Sequence, residues 1–174
     1  LEPAREQFEI IVDPWLSYCE EPSQNEIMAY NMAFTDWLLF ERPYRHGKTL
    51  LELYVDEPPA SILPASLKRL EQVRDTQYFS RFGILDKDPA SGMVALKDTR
   101  TDHRFDVYDP HIVQKEHWND GAIAVRIACV DDVWLAVGQL YLYDIARLND
   151  TAVDGPGAVH PEDLQDGFDT SCIS

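Results

Sequence analysis

The sequence predicts an α+β protein in which N-terminal helices pack on a small C-terminal antiparallel β-barrel or curved sheet, SH3-like or OB-like. Three observations predict it. Up to residue 77 apolar side chains recur every three to four positions; beyond Tyr78 the period falls to two; and turn-forming clusters then return at roughly 8- to 12-residue intervals. The chain therefore divides into a helical part over 1–77, an antiparallel β part over 78–150 and an acidic arm over 151–174. A chain of 174 residues, 45% hydrophobic and 26% charged, is expected to fold as one compact unit.

Between Arg5 and Tyr18 the residues Phe8, Ile11/Val12 and Trp15 recur at helical spacing, with Pro14 kinking or dividing the helix. A second helix, capped by Ser23 or Asn25, runs to about Phe40, because Ile27, Tyr30, Phe34 and Trp37/Leu38 repeat on one face. Its stretch AFTDWLLF is too apolar for a solvated surface, which makes Phe34, Trp37 and Leu38 core residues.

Gly47-Lys48-Thr49 matches the end of a phosphate-binding P-loop. The full motif requires glycine at its first position and a strand before the loop. Here the first position is Arg42, the preceding segment is helical, and Pro43 lacks an N–H that the cradle would use. Thr49-Leu50-Leu51-Glu52 is better read as a capping box opening a short helix from Leu50 to Asp56, with Gly47 easing the turn before it. Glu57-Pro58-Pro59 ends that helix. Pro64 then opens an amphipathic helix to about Thr76 with Leu67, Leu70 and Val73 on its apolar face.

Alternation from Tyr78 through Phe82 and Ile84, a turn at Asp88-Pro89-Ala90-Ser91-Gly92 and a strand with Val94 and Leu96 predict a hairpin. A turn over 98–102 leads into a strand from His103 to Tyr108 that Asp109-Pro110 ends, and a longer connection follows from His111 to Asp120-Gly121. Ile123, Val125, Ile127 and Cys129 share one face of the next strand, and Asp131-Asp132 turns the chain into the last. There Val133, Leu135 and Val137 alternate until Gly138, read as a bulge that passes the buried side to Leu140 and Leu142. Leu164 and Phe168 are the expected anchors of the acidic arm.

Charge limits function. Residues 1–77 carry 7 basic and 14 acidic groups, 78–150 carry 8 and 12, and 151–174 carry 0 and 5, for a net charge of −16. No segment is basic, which disfavours nucleic acid as a partner. No run approaches a membrane span and LEPAREQFEI lacks the features of a secretory leader, so a cytoplasmic protein is expected. The one concentration of positive charge is Arg42, Tyr44, Arg45, His46 and Lys48. These residues are the candidate binding site for an anionic partner, an acidic peptide or RNA phosphate, unless their cations only balance Glu41, Glu52 and the arm.

Cys19, Cys129 and Cys172 are too widely spaced for a disulfide framework or a zinc knuckle, and Cys129 reads as a small buried residue. His103, His111 and His117, with Asp106 and Asp109 nearby, fit no metal-ligand spacing. No common hydrolase, zinc-protease, redox or dinucleotide motif is present, and no metal or other cofactor is expected.

Three stretches, FTDWLLFERPYRHGKTLLELYV, YFSRFGILDKDPASGMVALKDTRTDHRFDVYD and DGAIAVRIACVDDVWLAVG, resemble a region of uncharacterised bacterial proteins, many of which carry a C-terminal SEC-C zinc motif. The C-terminus here has Cys172 but no cysteine cluster, so zinc does not carry over. The resemblance implies an accessory or interaction module and transfers no site residue. The expected function is accordingly a non-enzymatic module with a protein partner. Two other readings are an enzyme or small-ligand binder using the groove between helices and β part, and RNA binding through Arg42 to Lys48.

Overall fold

In the computed structural model, which describes residues 2–12, 24–115 and 121–142, helix α2 (Gln24–Phe40) organises the N-terminal half. Helix α1 (Glu2–Val12) lies against it through Phe8, which is fully buried. The Phe8 ring meets Tyr30 and Phe34 edge-on at 5.4 Å and Trp37 at 5.2 Å. Phe34, Trp37 and Leu38 are buried as the periodicity predicts. Ile27 is not, being 48% exposed and outside the cluster that holds Phe34 and Trp37. The expected kink at Pro14, the Ser23 cap, Cys19, His117, Cys172 and the arm with Leu164 and Phe168 lie outside the described residues.

Helices α3 (Leu50–Asp56) and α4 (Pro64–Thr76) have the predicted bounds. The capping box is present: Glu52 N–H donates to Thr49 Oγ1 at 3.4 Å, and Thr49 N–H donates to Glu52 Oε2 at 2.7 Å. Before it, His46 and Gly47 have φ of 58° and 73°, and a bridge joins Arg45 to Lys48. Two successive positive φ values make a tight reversal of the type I′ kind, so Gly47 and Lys48 belong to a miniature hairpin.

Beyond Gln77 come β1 (Tyr78–Asp88), β2 (Met93–Asp98), β3 (Arg104–Tyr108), β4 (Ala122–Val130) and β5 (Val133–Leu142), closed into a barrel in the order β1-β2-β3-β5-β4. Four pairings are antiparallel and one, β3 with β5, is parallel. Parity requires this, since a closed ring of five strands cannot alternate direction all the way round. The chain passes from β3 to β4 across the barrel and leaves β5 between them, a Greek-key path that selects the OB-like alternative.

The connection after β3 and the inner face of β5 differ from expectation. The connection after β3 contains helix α5 (Pro110–Gln114), where the Asp109 carboxylate accepts from the N–H groups of His111 (2.9 Å) and Ile112 (3.1 Å). Ile112 and Val113 enter the barrel core from this helix. An Asp N-cap followed by Pro was the signal for it. On β5 the bulge at Gly138 exists, but the interior face is Trp134, Ala136 and Leu140 throughout. The register explains why: Ile127 pairs with Ala136 and Cys129 with Trp134, so β5 residues opposite the inward face of β4 are even-numbered on both sides of the bulge.

The barrel interior holds Phe82, Ile84, Val94, Leu96, Val107, Ile123, Val125 and Ile127. The outer face of β1 and β4 is buried as well, with Phe79 and Ala124 joining the α1–α2 cluster. Small residues at 122, 124 and 128 let the helical layer approach this face closely. Cys129, expected to be buried, is only partly so, because it stands where β4 runs out towards the Asp131-Asp132 turn.

Candidate functional site

The chain between α2 and α3 carries the predicted binding residues and puts them on the surface, but not as one free positive patch. The Arg42 side chain donates to Gln7 Oε1 at 3.0 Å and stacks over Trp37 and Tyr44. Arg45 pairs with Glu57 at 3.0 Å and Lys48 with Asp56 at 2.5 Å. Arg74 also reaches Asp56, at 3.6 Å. His46 is exposed at the tip of the hairpin. The acidic partners are thus Asp56 and Glu57 from the end of α3; Glu41 and Glu52, expected to balance these cations, are committed elsewhere.

Two of the five, Tyr44 and Arg45, border a cleft of about 700 Å³ between α2, α3 and α4. Leu39 and Phe40 of α2, Leu50, Leu51 and Leu53 of α3, and Leu70 and Val73 of α4 line it. Tyr44 and Tyr54 stand at its mouth, 64% and 44% exposed. Its charged lining is the Arg45–Glu57 pair alone. The cleft exists because α4 buries none of its residues: its apolar stripe lies half-covered along this surface. Ordinarily such a stripe is pressed into a core.

Periodicity did not reveal three buried charges. Arg126 of β4 is 2% exposed, donates to Glu41 Oε1 and Gln77 Oε1, and lies over the rings of Phe40 (4.5 Å) and Phe79 (5.4 Å). A lone arginine inside AIAVRIACV was the available signal. Asp98, read as a turn residue, is fully buried and accepts from the Tyr78 hydroxyl and the N–H groups of Arg100 and Thr101. Asp36, 8% exposed, sits in the apolar stretch of α2. Neither Arg126 nor Asp98 lines the cleft, and their partners make them structural ties between layers and strands.

Of the three candidate histidines, His103 and His111 fall among the described residues. The His103 ring packs edge-on against Phe105 at 4.6 Å, Asp106 pairs with Arg104 at 3.0 Å, and Asp109 caps α5 near the exposed His111. Among the described residues no group of three or more His, Cys, Asp or Glu side chains is placed to hold a metal ion. Nor is any described helix long and apolar enough to cross a membrane. No family model, curated protein or solved structure matches this chain.

Proposed function

We propose that this protein is a cytoplasmic, non-enzymatic interaction module that docks an apolar segment of a partner protein in the cleft between α2, α3 and α4. One observation carries the reading: α4, amphipathic by sequence, leaves Leu70 and Val73 lining an open apolar cleft. An exposed apolar surface rimmed by polar groups is the signature of a docking site, and tyrosines at its mouth are the residue type that interfaces favour. A catalytic pocket would bring several ionisable groups together, whereas the charged groups lining this cleft neutralise each other.

The RNA reading has less support, since Arg45 and Lys48 already face carboxylates and the chain carries −16 overall. The test is affinity capture from native cytoplasm with wild-type protein, Leu70→Glu and Arg45→Glu in parallel, identifying retained proteins and nucleic acid. Leu70→Glu should lose the partner by about tenfold or more, because it places a charge in the apolar contact. A partner retained equally by Leu70→Glu, or RNA lost selectively from Arg45→Glu in a salt-dependent way, would overturn the proposal.

A further inference from the structure

Leu70 and Val73 of α4 stay half-covered along the cleft between α2, α3 and α4, whose volume of about 700 Å³ is ample for a leucine and a phenylalanine side chain. Residues 143–174 follow the last described strand, and they contain such a pair: Leu164 and Phe168, within Glu162-Asp163-Leu164-Gln165-Asp166-Gly167-Phe168-Asp169. A spacing of four suits two side chains that enter one cleft side by side. Phe168 is the one aromatic residue of 151–174, and four of the five acidic residues there, Glu162, Asp163, Asp166 and Asp169, flank the pair.

Charge selects the same surface. Residues 41–76 carry 6 basic and 6 acidic groups, whereas 1–40 carry 1 and 8 and 78–150 carry 8 and 12. All of the cleft lining except Leu39 and Phe40 comes from the neutral stretch. An acidic segment therefore meets the least repulsion here. Two guanidinium groups stand at the mouth: Arg45, whose side chain keeps 54% of its surface exposed in its pair with Glu57, and Arg42, stacked over Tyr44.

The chain is long enough to make the connection. At the end of β5 Leu142 pairs with Ile123 of β4, about 10 Å along that strand from Arg126, whose guanidinium lies over Phe40 of the cleft wall at 4.5 Å. About 22 residues separate Leu142 from Leu164, enough to span up to about 70 Å. A tethered segment meets its site at an effective concentration of roughly millimolar, which sustains docking through a small contact. We infer that residues 162–169 cover the cleft in the free protein, with Leu164 and Phe168 on Leu70 and Val73 and the flanking carboxylates towards Arg42 and Arg45. Given the docking role proposed above, on which this rests, the arm is a resident competitor, and a partner binds by displacing it.

Cys172 lies just beyond Phe168 and serves as a native reporter. In the dilute full chain with Tyr54→Cys at the mouth of the cleft, oxidised glutathione should link positions 54 and 172 within one molecule, as identified by peptide mass mapping. The link should form about tenfold faster than the link to Tyr108→Cys, because docking raises the local thiol concentration. Tyr108 is the matched control: like Tyr54 it is 44% exposed, but it does not line the cleft. Leu164→Ser/Phe168→Ser should bring the rate at position 54 down to that at 108. If Tyr54→Cys does not fold, as judged by circular dichroism, amide exchange in α3 and α4 of the otherwise native chain decides instead, and Leu164→Ser/Phe168→Ser should accelerate it severalfold. Equal rates at 54 and 108 in folded protein, a rate or an exchange pattern indifferent to Leu164→Ser/Phe168→Ser, or a link confined to covalent dimers, which would make a second copy the occupant, would overturn the assignment. Partner capture separates the two proposals. A partner lost from Leu70→Glu while the two rates are equal upholds the docking site and sinks the arm, whereas a fast link at position 54 with a partner indifferent to Leu70→Glu does the reverse.

Discussion

The Tyr78 hydroxyl donates to Asp98 Oδ2 at 2.6 Å, joining the first residue of β1 to the last residue of β2 at one end of the barrel. Arg100 completes the contact by donating to the Tyr78 oxygen at 2.8 Å. Burial pushes the Asp98 carboxyl upward, but the Tyr78 hydroxyl and the backbone N–H groups of Thr101 and Arg100 outweigh it and hold the group below its ordinary value of 3.8. A depressed folded value stabilises the fold at pH above the unfolded value, and that stability is lost as pH falls through the folded one. Tyr78→Phe should therefore cost about 1–3 kcal/mol at neutral pH. It should also move the acid-unfolding midpoint upward, followed by circular dichroism between neutrality and pH 2. An unmoved acid midpoint would mean that the Tyr78 bond is not what holds Asp98 down.

Glu41 at the end of α2 and Arg126 of β4 form the ion pair that ties the helical layer to the barrel. With Arg126 almost wholly buried, removing the carboxylate strands a guanidinium, and Glu41→Ala is expected to lower the unfolding free energy by about 3 kcal/mol. The double variant Glu41→Leu/Arg126→Met should recover most of that loss, because no buried charge remains. Urea unfolding of the single and double variants measures both. If the double variant is as unstable as Glu41→Ala, lost packing and not a stranded charge is the cause.

Thr49→Ala removes one half of the capping box of α3 and should cost about 1 kcal/mol, read as a lower thermal midpoint. Nucleotides should stabilise neither wild type nor variant, since Gly47 and Lys48 serve the miniature hairpin. A specific nucleotide-dependent rise in the wild-type midpoint would reverse that reading.

Gly138→Ala combines two penalties: a φ of 82° that a Cβ disfavours and the Asp36 carboxylate in the space the Cβ would take. The expected loss is about 1–3 kcal/mol. Asp36→Ser in the same background should return part of it, as the shorter side chain vacates the space, whereas no recovery would place the whole cost in the backbone. Chemical denaturation of the three variants separates the terms.

Much of the architecture was legible in the residues alone. The change from helical to alternating period at Tyr78, the Thr49–Glu52 box, Pro64 as a helix start and the bulge at Gly138 are local signals, each written in a few neighbouring side chains. The hydrophobic repeat of α2 likewise marked Phe34, Trp37 and Leu38. Around the predicted binding residues the turn at Gly47 was readable, but the miniature hairpin and the partners of Arg45 and Lys48 were not, because Glu57 and Asp56 meet them only in the folded chain.

By itself the sequence determined where helices give way to strands, the bounds of α3 and α4, and the sign and size of the charge. Tertiary structure decided the rest: the parallel β3–β5 closure, the even-numbered inner face of β5, the burial of Arg126 and Asp98, and the cleft between α2, α3 and α4. The physical reason is range. Caps, turns and periodicity act within about one helical turn or one strand pair, whereas ring closure, register, charge pairing and an uncovered apolar stripe depend on which distant residues come to lie opposite one another.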